Sequence, residues 1–207
     1  MIEFFVAIFL SLIVMGVIYS VFRLQTRTLK SQEKRMEAQQ YTRSVLNLMV
    51  REIRNVGHFP LGQCTTPANI NGIIEADKDL FHFVTDANAD DDCGDAEEDI
   101  IYRFDIAGCA AGFGNITRQD VNGPNPEAQA LTDCNVPVAG GDSLFAYYQK
   151  DSTIAYATPV ASADLGNIQR LLVTATVESK NPDSEFGGAS TAVMKSNVDL
   201  RNRGLPL

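Results

Sequence analysis

The chain has 207 residues and a net charge of −9, and its acidic charge is concentrated beyond residue 57. Residues 1–57 carry eight Lys/Arg against four Asp/Glu, whereas residues 58–207 carry nine against 22, a net charge of −13. Contacts to nucleic-acid phosphates need clustered Lys and Arg, so this acidic part argues against general nucleic-acid binding. Residues 58–207 are numerous enough to form one hydrophobic core.

The first apolar segment is long enough to cross a membrane. No charged side chain occurs from Phe4 to Phe22, and one acidic residue, Glu3, precedes this run. Nineteen helical residues span roughly 28 Å, which is close to the thickness of the hydrocarbon core of a bilayer. We therefore predict that residues 1–25 form a transmembrane or filament-core half of a helix.

The helix is expected to continue as an amphipathic half over residues 26–57, because neither Pro nor Gly occurs between Phe22 and Gly57. Its end is predicted by Gly57, with Pro60 three residues later. The apolar residues at helical spacing, which predict the face that packs on the rest of the chain, are Tyr41, Val45, Leu48, Ile53 and Val56. The charged residues expected to face elsewhere are Arg43, Arg51, Glu52 and Arg54.

Residues 58–207 are predicted to form one β-rich globular domain. Apolar and polar residues alternate from Ile100 to Ile106 and from Leu171 to Val177, which is typical of half-buried strands. The candidate strands are 72–76, 80–85, 99–106, 114–119, 143–149, 169–179 and 191–200. One long helix followed by strands predicts an α+β fold, with an antiparallel sheet packed on the helix.

The four cysteines, Cys64, Cys93, Cys109 and Cys134, all lie in the acidic part. They form no CxxC pair and have no histidine at zinc-ligand spacing, so two disulfides formed in an oxidising compartment fit better than a zinc site. Four cysteines allow three pairings. We favour Cys64–Cys93 with Cys109–Cys134, because neighbours in sequence close smaller loops.

The expected membrane topology contains a conflict. Basic residues follow the apolar run directly, and the positive-inside rule would place them in the cytoplasm, whereas disulfides require the opposite side. A basic leader cleaved ahead of Met1 would remove the conflict, as would a helix that leaves the membrane to pack against copies of itself. The basic residues concerned are Arg23, Arg27, Lys30, Lys34 and Arg35.

An acidic segment from Asp86 to Asp99 is the candidate metal site. The residues at offsets 1, 3, 5, 7 and 12 of a calcium loop are Asp86, Asn88, Asp90, Asp92 and Glu97. Asp91 stands where an EF-hand requires glycine, so the segment is not an EF-hand. Two interpretations stay open: an irregular Ca²⁺ site, or a solvated acidic loop held by Cys93.

No motif of a common enzyme class is present. The sequence has no GxSxG, Walker loop, GxGxxG or HExxH. His58 and His82 are better interpreted as surface or packing residues than as general bases. We therefore expect neither enzymatic activity nor a small-molecule substrate.

Met1–Gly16, with its acidic Glu3, resembles the N-terminal segment of type IV pilins and pseudopilins. Residues 46–59, LNLMVREIRNVGHF, with Cys64 soon after, and the closing segment 198–202, VDLRN, resemble the minor pilins of the PilW/PulJ type. The resemblance covers the helix closely and the rest of the chain in outline. It implies a non-enzymatic subunit whose partners are the inner membrane and then other pilin subunits.

The resemblance also implies roles for residues near the start of the chain. Glu3 would neutralise the α-amino group of a neighbouring subunit, and Phe4 and Phe5 would lie in the assembly surface. A carboxylate in lipid costs several kcal/mol unless it is paired, which supports this role. The alternative is that Glu3 lies at the level of the lipid headgroups.

In the family, the mature chain begins two residues further upstream, at a methylated phenylalanine that follows the cleaved leader. Met1 stands where the third residue of the mature chain is expected. If Met1 is nevertheless the terminus, the distance between the amino group and Glu3 is shorter by about 3 Å. Many major pilins have a proline near the end of the apolar run, and here only Gly16 could weaken the helix locally.

The sequence thus predicts a minor pilin of the tip or initiation complex of a type IV pilus. It would be a single-pass protein of the bacterial inner membrane with a periplasmic domain, and would then reach the cell surface in the pilus. The alternatives are a type II secretion pseudopilin, a main filament subunit, or a signal-anchored extracytoplasmic binding domain that never polymerises.

Overall fold

The computed structural model describes residues 2–60, 64, 72–90, 92–138, 143–179 and 189–200. One helix, α1 (Ile2–Ile53), runs without interruption through Gly16. Its 52 residues span about 78 Å. Predictions that involve Asp91, Arg201 and Asn202 lie outside the described residues.

α1 ends four residues earlier than the sequence predicted, because turns replace the helix from residue 54 to residue 57. Gly57 has a φ of +68°, a left-handed conformation that glycine adopts without steric cost. Its backbone N–H donates to the Val84 carbonyl over 3.1 Å, which joins the helix end to a strand. A Cβ on Gly72 would lie 2.5 Å from the Gly57 Cα, so the two chain segments approach as closely as glycines allow.

The strands form two antiparallel sheets within the described residues. The larger sheet contains β1 (Ile73–Asp77), β2 (Leu80–Val84), β3 (Asp99–Asp105), β4 (Phe113–Asp120), β5 (Gln129–Ala130) and β6 (Val136–Pro137). The smaller sheet contains β7 (Phe145–Tyr148), β8 (Arg170–Glu178) and β9 (Thr191–Asp199). In the larger sheet β1 to β4 pair in chain order, and both β5 and β6 pair with β4; in the smaller sheet β8 lies in the middle.

The predicted α+β fold is confirmed: a long N-terminal helix packs on antiparallel sheet. Each of the seven predicted strands occurs, with ends shifted by at most two residues. β5 and β6 were missed, because strands of two residues carry no alternation that a sequence pattern can reveal. The alternation in β8 is confirmed, but Ile106, predicted to face inward after β3, is 62% exposed.

The C-terminal part of α1 packs on both sheets through one hydrophobic core. Its buried residues are Ala38, Thr42, Val45, Leu46, Met49, Val50 and Ile53. Phe81 in β2 and Phe145 in β7 join the two sheets in this core, with ring centroids 5.6 Å apart. Tyr41 meets the domain as predicted, since its hydroxyl donates to the Leu131 carbonyl at 2.6 Å, but it is 40% exposed, and Leu48 is only half-buried.

Candidate assembly surface of the N-terminal helix

The side chains of the apolar half of α1 are exposed in the described part of the chain. Among its large apolar residues from Ile2 to Leu24, even the least exposed, Ile8, shows 41% of its surface. By length and composition α1 is long and apolar enough to cross a membrane. None of the residues in its most apolar stretch is buried. Burying such a side chain yields about 1.5–3 kcal/mol, so this surface has a strong preference for lipid or for other helices.

The three residues predicted to act in assembly lie together at the start of α1. Glu3 is exposed in the first turn, where the helix dipole favours a carboxylate. Phe4 and Phe5 are 68% and 69% exposed, and their rings meet edge to face with centroids 6.4 Å apart. Within the described residues Glu3 has no ion-pair partner, so any counter-charge must come from outside them.

A cluster of three hydrogen-bonded polar side chains connects the C-terminal half of α1 with the larger sheet. Glu52 Oε2 accepts hydrogen bonds from the Tyr102 hydroxyl at 2.6 Å and from Arg118 Nε at 3.0 Å. The expectation that Glu52 faces away from the domain was therefore wrong. A buried tyrosine hydroxyl needs a partner, and the inward position predicted for Tyr102 was the signal that could have revealed this cluster.

The cluster shifts the pKa values of Tyr102 and Arg118. Burial raises the pKa of the Tyr102 hydroxyl well above its ordinary value, and the charge of Glu52 adds to the effect. Burial alone would lower the pKa of Arg118, but its hydrogen bond to Glu52 and the charge of Glu52 outweigh this, so the net shift is upward. The Arg118 guanidinium therefore stays charged where the helix meets the sheet.

The four cysteines form two pairs in the structure. Cys64 is bonded to Cys93 with Cα atoms 5.6 Å apart, and Cys109 is bonded to Cys134 with Cα atoms 5.2 Å apart. These are the pairings that the sequence favoured. Cys64 and Cys93 lie in a small apolar cluster with Val84, so the first disulfide fixes the middle of the acidic loop beside the end of β2.

The acidic loop is organised by Glu98, a residue that the sequence analysis did not single out. Its side chain is 1% exposed. One carboxylate oxygen accepts from the backbone N–H groups of Ala87 and Asn88, and the other accepts from that of Asp95. The buried Glu98 carboxylate therefore satisfies backbone N–H groups of the loop that strand pairing would satisfy in a sheet.

The predicted calcium ligands lie along this loop, and several of them already bind its backbone. Asp86, Asp90 and Asp92 each accept a backbone N–H with one carboxylate oxygen, at 2.6, 3.0 and 2.8 Å. Asn88 donates to Asp90, and Glu97 is exposed. Over the part of the chain that the structure describes, no three acidic, His or Cys side chains converge to hold a metal ion. Calcium binding stays a prediction.

The two histidines are a surface residue and a paired residue. His58 is exposed after the end of α1. His82 in β2 is half-buried, and its Nε2 lies 2.6 Å from the Asp99 carboxylate in β3. The pair bridges neighbouring strands.

Comparison with known proteins gives little. No protein-family model matches the sequence, and no curated protein matches it. Among solved structures, a type IV-like pilin from Thermus thermophilus is similar, with 15% sequence identity and a TM-score of 0.39. The match covers 79% of this chain and 96% of that one.

Proposed function

We propose that the chain is a minor pilin, which is inserted in the bacterial inner membrane by α1 and then assembled into a type IV pilus. The observation that supports this most is the division of α1 into two surfaces. Its apolar half is fully exposed, and the same unbroken helix continues into the hydrophobic core of a β-rich domain. Such a helix couples a lipid-soluble or helix-binding end rigidly to a globular domain.

Assembly would exchange lipid contacts for contacts with sister helices. Lipid tails and apolar side chains are alike in polarity, so this exchange alone gains little free energy. A carboxylate near the lipid adds a directional term, because it costs several kcal/mol unless a positive charge neutralises it. Glu3, exposed at the start of α1, would find that charge in the α-amino group of a neighbouring subunit.

A role in the tip or initiation complex is supported by the continuity of the helix. No proline interrupts the apolar half, and α1 passes through Gly16 without a break. An uninterrupted, stiff helix suits a subunit that starts or ends a filament. The alternative functions within the family are a main filament subunit and a type II secretion pseudopilin.

The proposal is tested by replacing Glu3 in the full chain and collecting sheared surface filaments. We expect Glu3→Ala to reduce the amount of this chain in the filament fraction at least tenfold, while its amount in the membrane fraction is unchanged. Immunoblots of both fractions measure this.

Glu33→Ala is the matched control, because it removes an exposed carboxylate from the polar part of the same helix. It should leave incorporation unchanged. If Glu3→Ala incorporates as well as Glu33→Ala, or if the unaltered chain never leaves the membrane, the chain is an anchored binding domain and the proposal is wrong.

A further inference from the structure

The side of α1 that faces away from the core carries a row of cationic and amide side chains. Arg43, Asn47, Arg51 and Arg54 follow one another at steps of four, four and three residues, and all are exposed. Residues three and four apart share one face of a helix, so these form a continuous strip. We call this strip the cationic row. It lies at the end of α1 that is fixed to the domain, far from the apolar half.

The cationic row borders a groove between the end of α1 and β9. The groove has a volume of about 650 Å³ and is lined by Asn47, Val50, Arg51, Arg54, Asn55, His58 and Ser196. No carboxylate is among these residues. The groove therefore presents positive charge and hydrogen-bond donors over a floor that includes Val50.

The arginines of this groove lack a partner inside the described part of the chain. Arg118, by contrast, is paired with Glu52, and the other ion pairs found there involve neither Arg51 nor Arg54. Cations near a helix C-terminus offset the helix dipole by about 0.3–1 kcal/mol. This interaction of the arginines with the helix dipole does not depend on a groove beside the helix. It therefore does not account for the groove that Arg51 and Arg54 line.

The acidic loop, residues 86–99, has the opposite charge, and the structure describes all of it except Asp91. Among the described loop residues the exposed carboxylates belong to Asp90, Asp95 and Glu97. The Glu97 backbone N–H is held by Asp120 at 2.9 Å, whereas its side chain makes no hydrogen bond among the described residues. Because Glu98 and the Cys64–Cys93 disulfide hold the loop, little conformational entropy is lost when it binds.

We propose that the cationic row of one subunit binds the acidic loop of a second copy of this chain. The inference rests on the filament assembly in the proposed function, because assembly can bring copies of this chain together, and it does not depend on the position at the tip. Within one chain the acidic loop begins beside the groove, because the Asp86 backbone N–H donates to the His58 carbonyl at 2.9 Å, so two copies can each offer the cationic row to the other's acidic loop. Complementary charges of this kind set the register and speed of association, and salt screens them over a Debye length of about 8 Å at physiological ionic strength.

A charge-swap experiment on the detergent-solubilised full chain tests this contact. Arg54→Glu and Glu97→Lys are each expected to weaken self-association about three- to tenfold at low salt, as measured by analytical ultracentrifugation. An equimolar mixture of the two variants should recover association to within about twofold of the original chain, because the altered row of one chain then meets the altered loop of the other. Glu97 has a φ of +70°. Glu97→Lys replaces one side chain with another of similar size, so the conformational cost of this backbone position stays the same.

The controls separate this contact from other effects of charge. Lys150→Glu changes the net charge by the same amount at an exposed residue outside the groove and should leave association unchanged. Arg51→Glu serves as a second row variant if Arg54→Glu alters the melting temperature. If Arg54→Glu and Lys150→Glu behave alike, the proposal is overturned.

Two further results would also overturn it. Recovery in the doubly substituted chain but not in the mixture would show a contact within one chain. Binding of the original chain to vesicles of anionic phospholipid, lost in Arg54→Glu and without self-association, would make a lipid surface the occupant of the groove.

The two proposals fail in different ways. If Glu3→Ala leaves filament incorporation unchanged while the charge-swap pattern holds, the proposed function falls and this contact stands. If Glu3→Ala abolishes incorporation and the charge swap has no effect, the chain is a filament subunit whose copies meet elsewhere, and only the contact is refuted.

Discussion

At the scale of single residues, Glu52 connects the helix to the sheet. It is the acceptor for both Tyr102 in β3 and Arg118 in β4, so one carboxylate joins three elements that are far apart in sequence. Removal of Glu52 would leave both Tyr102 and Arg118 without their acceptor in a partly buried site, and removal of either donor would leave Glu52 with one hydrogen bond of the two. The free energy of unfolding should therefore be sensitive to each of them.

Tyr102→Phe tests this cluster with a minimal change. We expect a loss of about 1.5–3 kcal/mol in unfolding free energy, because one hydrogen bond to a charged acceptor is removed while the ring stays buried. The melting temperature of the full chain in detergent, read from near-UV circular dichroism, should fall by about 3–12 °C. Tyr148→Phe is the matched control, since no hydrogen bond of the Tyr148 hydroxyl occurs in the described residues; equal effects of the two would contradict the role of Glu52.

The buried tyrosines also predict how stability depends on pH. Burial raises the pKa values of Tyr102 and Tyr147 above the ordinary value near 10, with nearby carboxylates adding to the effect. Above about pH 10 the unfolded chain releases these protons and the folded chain retains them, so stability present below that pH is lost as pH rises. The unfolding free energy should fall by up to about 1.4 kcal/mol per pH unit for each tyrosine.

Melting curves between pH 9 and pH 11 measure this dependence. Tyr147→Phe should make the decline shallower, although it also removes the contacts of that hydroxyl with the carbonyl groups of Asp77 and Leu80. An unchanged slope in this variant would show that Tyr147 does not cause the decline.

At the scale of elements, α1 has a buried segment and an exposed segment with different requirements. Met49 is fully buried against the sheets, whereas Met36 on the same helix is 57% exposed. We expect Met49→Ala to lower the unfolding free energy by about 2–5 kcal/mol and Met36→Ala by less than about 0.5 kcal/mol. Similar melting temperatures for the two variants would contradict the packing of α1 on the domain.

The acidic loop gives a second prediction at this scale. If the loop takes Ca²⁺ through Asp86, Asn88, Asp90, Asp92 and Glu97, calorimetric titration should release or absorb heat and the melting temperature should rise. The variant Asp90→Asn/Asp92→Asn should reduce both signals. Without heat or a rise in melting temperature, the loop is a solvated acidic segment and the calcium interpretation is wrong.

The elements also show where sequence reasoning reaches its limit. The apolar run of α1 and the alternation in β8 are local patterns, and both were predicted closely. Glu52 and Glu98 could not be found in this way, because a charged residue in a helix or a loop gives no local sign of a partner that lies far away in sequence. The helix end at Ile53 was missed since the turns that follow it still place Val56 in the core.

At the scale of the whole molecule, the chain separates its apolar and charged surfaces along its length. Most of the large exposed apolar side chains among the described residues belong to the first half of α1, whereas the domain carries a net charge of −13 over residues 58–207. The cationic row lies on α1 where it enters that domain. A molecule with this distribution is suited to lateral packing at one end and to charge-directed contacts at the other.

The central claim is that the apolar half of α1 binds copies of itself or of related subunits. It is tested most directly by a photo-crosslinking amino acid at Leu10, which is 57% exposed in that half, introduced in the full chain in living cells. We predict chain-to-chain adducts in the sheared filament fraction, and none when the same group replaces the buried Met49. A crosslinker at Leu10 that yields only lipid adducts of single chains would contradict the account.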